Sequence, residues 1–165
     1  MRVGGNHTKR VDEVLSRIPL SPPWTVHEFL AWLEKDTGRP IRLLPYPEGT
    51  VIGNRRCGVL FGLADEDIIM YDPNRSERHQ RQTIFHEVGH VLCCHKGEPF
   101  SPTDSPLTSG IDPDAIRYMM RRTSFDTTTE AEAELLGTKL AVLSQGSIAD
   151  DGRGHFNRII STVVQ

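Results

Sequence analysis

Apolar positions change period several times along this chain, and each change predicts an element. Phe29, Leu30 and Leu33 recur at helical spacing between Thr25 and Gly38, a cap residue and a helix stop. Ile41 to Leu44 reads as a strand, stopped by Pro45 and Pro47. Residues 57–63 and 67–72 are near-continuous apolar runs joined through Ala64-Asp65-Glu66, the pattern of a hairpin. Ile84, Val88, Val91, Leu92 and His95 return to helical spacing, in a helix capped by Asn74 or Ser76 with Glu77 in its first turn. Ala133, Leu136, Leu140 and Leu143 form an apolar stripe on a last helix over 128–143, with caps on offer from Thr127 to Thr129.

The remaining segments are more polar. Residues 1–9 are expected to be disordered, residues 10–17 to form a short helix ended by Pro19, and Ser21-Pro22-Pro23 to be a linker. Residues 97–113 are rich in Pro, Ser, Gly and Thr and read as a loop; a helix is expected over 113–122. Gly146 to Gly154 reads as a flexible stretch and Ile159 to Val164 as an apolar tail. Several helices and few strands make an α+β fold, and 165 residues suffice for one domain with its own core.

Charge and cysteine content narrow the setting. A net charge of −3 gives no electrostatic footprint for direct nucleic-acid binding. The basic cluster Arg75, Arg78, His79 and Arg81 reads as a solvated helix start, with contact to an acidic partner the alternative. Cys57, Cys93 and Cys94 make neither a paired framework nor a C-x-x-C motif, which fits a reducing cytoplasm. The N-terminus has no apolar signal core, and no run of about 18 apolar residues could span a membrane.

Chemistry is concentrated in His86-Glu87-Val88-Gly89-His90, an H-E-x-x-H motif. Residues four apart in a helix stand about 40° apart around the axis and about 6 Å along it, so both imidazoles can lean onto one ion. Glu87 points to the side, placed to act as a base on water rather than as a ligand. Gly89, between the two histidines, costs about 1 kcal/mol of helix propensity, which a close backbone approach would explain. The bland alternative is a buried helix with two ordinary histidines.

Catalytic zinc takes three protein ligands, and the candidates for the third are Cys94, His95, Glu130, Glu132 and Glu134. In a continuing helix Cys94 lies about 12 Å along the axis from His86, too far to share an ion with both histidines. His95 lies about 180° from His86 and faces away, unless the helix ends near His90 and turns back. The longer spacing used by metalloproteases with a third histidine lands on Lys96. Glu130 and Glu134 share one face of the last helix, continued by the small residues Gly137 and Ala141, while Glu132 is expected to point into solvent. An acidic first turn that merely complements the helix dipole is the alternative.

With Gly58-Val59-Leu60-Phe61-Gly62 and Asp67-Ile68-Ile69-Met70-Tyr71 ahead of Thr83-Ile84-Phe85-His86-Glu87-Val88-Gly89-His90-Val91-Leu92, and an E-x-E-A segment after it, the chain resembles the ImmA/IrrE family of metallopeptidases over roughly residues 25–145. The family's second motif reads E-x-x-A-N-x-F-A; its first glutamate, the third ligand, falls on Glu130, and its Asn or Asp falls on Glu134, a departure at a position that supports a ligand by hydrogen bonding. The family's L-M-P ending is replaced by Leu143-Ser144-Gln145-Gly146.

The resemblance implies a zincin-like, gluzincin-like domain with a small antiparallel sheet, zinc held by His86, His90 and Glu130, and Glu87 as the catalytic base. It implies intracellular endoproteolysis of a protein substrate, a helix-turn-helix transcriptional repressor or similar regulator. A zinc-containing binder that inactivates its partner without cutting, or the toxin half of a toxin–antitoxin pair, are the alternatives. An exposed sheet edge near residues 57–63 would receive a substrate strand, and Tyr118 and His155 are candidate oxyanion partners.

Overall fold

The computed structural model describes residues 4–49, 58–100, 111–120, 127–146 and 148. Cys57, His155 and the apolar tail over 159–164 lie outside them, as do most of the loop over 97–113 and of the stretch over 146–154. In chain order the elements are α1 (Gly4–Ser16), α2 (Val26–Thr37), β1 (Ile41–Pro45), β2 (Val59–Gly62), β3 (Asp67–Tyr71), α3 (Glu77–Leu92), β4 (Glu98–Pro99), a 3-10 turn (Pro113–Ala115), β5 (Tyr118–Met120) and α4 (Thr127–Leu143).

Local chemistry sets several of these boundaries. Thr25 and Glu28 form a reciprocal capping box at the start of α2, and Gly38 ends that helix at φ 69°. Ser76 caps α3, accepting from the His79 N–H. α1 begins at Gly4, so part of the segment expected to be disordered is helical. Val11 of α1 is fully buried, and that anchorage outweighs the polar composition of the turns before it.

The strands form one sheet in the order β1-β3-β2-β5-β4. It is mixed rather than antiparallel throughout, because β1 pairs parallel to β3 while the other pairings are antiparallel. The helix expected over 113–122 is instead the 3-10 turn followed by β5, which pairs with β2. Burial decides this. Met119 and Met120 point to opposite faces of the sheet and are both buried, an alternation of period two that a helix cannot produce. β2 is thus an interior strand, paired on both sides, so the edge expected near residues 57–63 is not free; the outer strands are β1 and β4.

Leu60, Ile69 and Met120 face the helices and pack with Phe29, Phe85, Val88, Leu136 and Leu140. Phe61, Ile68, Met70 and Met119 face the other way, against Tyr46, Ile111 and Ile116. Sheet and helix α2 together brace α3: Phe85 meets the Phe29 ring edge-on at 5.3 Å between centroids. Leu143, the last member of the expected stripe on α4, is 37% exposed, so the buried stripe ends at Leu140. No helix among the described residues is long and apolar enough to cross a membrane.

Candidate metal centre

Helices α3 and α4 pack closely, and two glycines allow it. A side chain at Gly89 would stand 2.8 Å from the Ala133 carbonyl, and one at Gly137 would stand 2.8 Å from the His86 backbone. The neighbour at both places is backbone, which has little room to give. Gly89 is therefore where the second helix passes, and the propensity it sacrifices is offset by contact. The crossing puts the first turns of α4 against the middle of α3.

His86 and His90 point their Nε2 atoms at each other, 3.2 Å apart. The Glu130 carboxylate completes the group, with Oε2 at 3.5 Å from His86 Nε2 and Oε1 at 3.4 Å from His90 Nε2. The two histidines are buried and Glu130 is half-buried. Two donors each about 2.1 Å from one tetrahedral ion stand about 3.4 Å apart. The spacings seen here match that edge, and two imidazoles with one carboxylate suit a divalent transition metal. These three residues can therefore hold a metal ion.

Charge within the group is shared between the histidines and Glu130. Burial acts to raise the Glu130 carboxyl, but hydrogen bonds and charge from His86 and His90 hold it well below the usual carboxylate range. Burial acts to lower His86, and Glu130, Glu134 and Glu87 outweigh it, pushing the imidazole up to about 9. His90 is lowered, chiefly by burial, with His86 and His95 adding to the effect against the pull of Glu130. Without a cation His86 thus carries a second ring proton and pairs with the Glu130 carboxylate, and a metal ion on Nε2 would displace that proton.

Other sequence-identified residues fall into place around this group. Glu87 is 3% exposed, and its Cγ lies 3.1 Å from where a side chain on Gly58 would begin. Glu134 reaches His86 Nδ1 at 3.2 Å through Oε2, although the carboxylate side chain is 54% exposed. Glu132 departs from expectation: it is 5% exposed, and binds His95 and His7 instead of solvent. His95 also departs, because the chain turns back after Leu92 and lays its ring beside His90. Tyr118 is not directed to a carbonyl on this group. Its hydroxyl donates to Asp67 at 2.9 Å beside the Arg39 guanidinium, and burial with that bond pushes it up to about 12.

Glu132 and His95 were the residues that sequence reasoning misplaced. The one available signal was the pair of polar residues itself, an imidazole and a carboxylate on two helices already expected to meet. In comparison with known proteins, the model of peptidase family M78, described as the IrrE N-terminal-like domain, aligns with residues 54–136. That span contains β2, β3, α3, β5 and the half of α4 that carries Glu130. No curated protein and no solved structure is matched.

Proposed function

Since the chain belongs to the IrrE N-terminal-like family of M78 peptidases, and so to proteins of metallopeptidase type, we propose that it is a zinc-dependent endopeptidase acting on a helix-turn-helix repressor or a similar regulatory protein. The observation that carries the reading is the convergence of His86 Nε2, His90 Nε2 and the Glu130 carboxylate at tetrahedral spacing. Zinc is favoured by the two-imidazole, one-carboxylate donor set, which leaves a fourth position for a reactant. The repressor as substrate is supported by the family resemblance, and a net charge of −3 fits a protein rather than a nucleic-acid partner. A cytoplasmic setting, where a buried thiol such as Cys93 stays reduced, fits the same reading.

In this reading His86, His90 and Glu130 hold the ion. When bound, it supplies Lewis acidity toward the scissile carbonyl and acidifies water. Glu87 would take a proton from the attacking water as its oxygen bonds to the scissile carbonyl carbon, and would deliver that proton to the leaving amine as the peptide C–N bond breaks. Glu134 accepts from His86 Nδ1–H and keeps that ring turned with Nε2 inward.

Glu87→Gln tests the assignment. The variant is expected to bind zinc as the parent does and to cleave a co-expressed regulator at least about 100-fold more slowly. Loss of the regulator's repression with no shortened product, equally in parent and variant, would replace the peptidase reading by one of partner sequestration.

A further inference from the structure

α3 ends in a reversal that has a consequence for His90. Cys94 lies in the left-handed region at φ 55°. The His95 N–H donates to the His90 carbonyl and the Cys94 N–H to the Val91 carbonyl, both at 3.0 Å. This double bond pattern is a Schellman motif, here with cysteine in the place glycine usually takes. It folds the His95 ring against His90, Nδ1 to Nδ1 at 3.0 Å. The far nitrogen, His95 Nε2, lies 3.1 Å from Glu132 Oε2. Glu132 is in turn held from α1, by His7 Nδ1 at 3.4 Å and Arg10 Nη1 at 3.6 Å. Arg10 also donates to the Cys93 carbonyl at 2.7 Å, tying α1 to the reversal itself.

A line of polar side chains thus runs from His90 to α1, and its protons can be counted. A cation on His90 Nε2 leaves the ring proton on Nδ1, so His90 donates to His95 Nδ1. His95 then carries its own proton on Nε2 and donates to Glu132 Oε2. One tautomer of each ring satisfies the whole line. Burying a carboxylate is costly unless it is bonded, and Glu132 is received by this line and by His7 and Arg10 of α1. His86 is supported differently, by the largely exposed Glu134.

We propose that His95 and Glu132 are positioning residues that fix the tautomer and ring orientation of His90 as a metal ligand, with α1 anchoring the outer end. The proposal rests on reading His86, His90 and Glu130 as the ligands. Cys93, His95 and Glu132 bring ligand atoms within 4.8 Å of one another and form the rival arrangement, a second metal site. The Arg10 guanidinium against Glu132, and the engagement of His95 with His90, both oppose a cation there.

The test is made on the full chain, by zinc stoichiometry, by zinc affinity in competition with a chromophoric chelator, and by the visible spectrum of the cobalt-loaded protein. One zinc per chain is expected. His95→Phe keeps the bulk and removes both ring nitrogens; it and Glu132→Ala are each expected to weaken zinc binding about 10–100-fold. His95→Gln, whose amide oxygen can accept from His90 while its NH2 donates to Glu132, is expected to recover most of that loss and a near-parental cobalt spectrum. Far-ultraviolet circular dichroism of the metal-free proteins follows folding, and either weakening variant decides the matter if the other does not fold. Parental zinc affinity in both, or His95→Gln no better than His95→Phe, overturns the positioning role while leaving the metal centre in place. A second zinc lost on Cys93→Ser overturns it in favour of the rival site. A parent protein that binds no zinc overturns the ligand reading and this proposal with it.

Discussion

Cys93 and Cys94 are chain neighbours in opposite surroundings. Cys93 is buried in the main core and Cys94 is exposed at the left-handed turn. Burial, with Glu132 nearby, pushes the Cys93 thiol up to about 11. A thiol so raised gives up its proton only as pH approaches that value, leaving about one thiolate in a thousand at pH 8. Iodoacetamide at pH 8 should therefore label Cys94 and spare Cys93 in the native protein, as read by peptide mass spectrometry; equal labelling would show that Cys93 is not enclosed. The same turn explains which residues could be read from sequence. His86, Glu87 and His90 are legible because they lie inside a regular helix, where spacing is geometry. His95 was not, because helical projection was carried past Leu92, where the helix ends. Glu132 was not, because an acid in a helical first turn is ordinarily solvated, and its partners His7 and Arg10 come from more than 120 residues earlier.

At the scale of elements, the candidate metal centre depends on how closely α3 and α4 cross. Glu130 reaches the histidines only because Gly137 lies against the His86 backbone and Gly89 against Ala133. Gly137→Ala tests this with opposing effects of known size. Alanine gains about 1 kcal/mol of helix propensity, whereas a Cβ 2.8 Å from backbone atoms forces the helices apart at about 1–3 kcal/mol. The clash should win, giving net destabilisation by denaturant titration of the metal-free protein. It should also weaken zinc affinity, because Glu130 lies on the displaced helix. A stabilised variant with parental affinity would mean that the crossing is looser than described. The small-residue face of α4 was legible as a packing face, since glycine in a helix interior has few other uses. β5 was not legible: Tyr118 to Met120 is too short for periodicity to separate strand from helix, and its pairing with β2 is a long-range fact.

Over the whole molecule, the family-matched segment holds His86, His90 and Glu130, the group that could hold a metal ion, but what braces them lies partly outside it. α2 supports α3 through Phe29 against Phe85, and α1 supports Glu132 through His7 and Arg10. The candidate ligands themselves come from two helices, with His86 and His90 on α3 and Glu130 on α4. An ion bound by all three joins elements that the unfolded chain leaves separate, so binding must appear as stability. A single-site ligand at 100 times its dissociation constant stabilises by about 2.7 kcal/mol. For a domain of this size that is a rise of roughly 5–10 °C in melting temperature. Zinc at that excess should produce such a rise by calorimetry, and a chelator should reverse it. Glu130→Ala, which leaves both histidines on one helix, should lose most of the rise, measured against the variant's own metal-free melting temperature. If zinc raised the melting temperature of Glu130→Ala as much as that of the parent, the ion would be bridging nothing across the two helices. Glu130 would then have to be given up as a ligand.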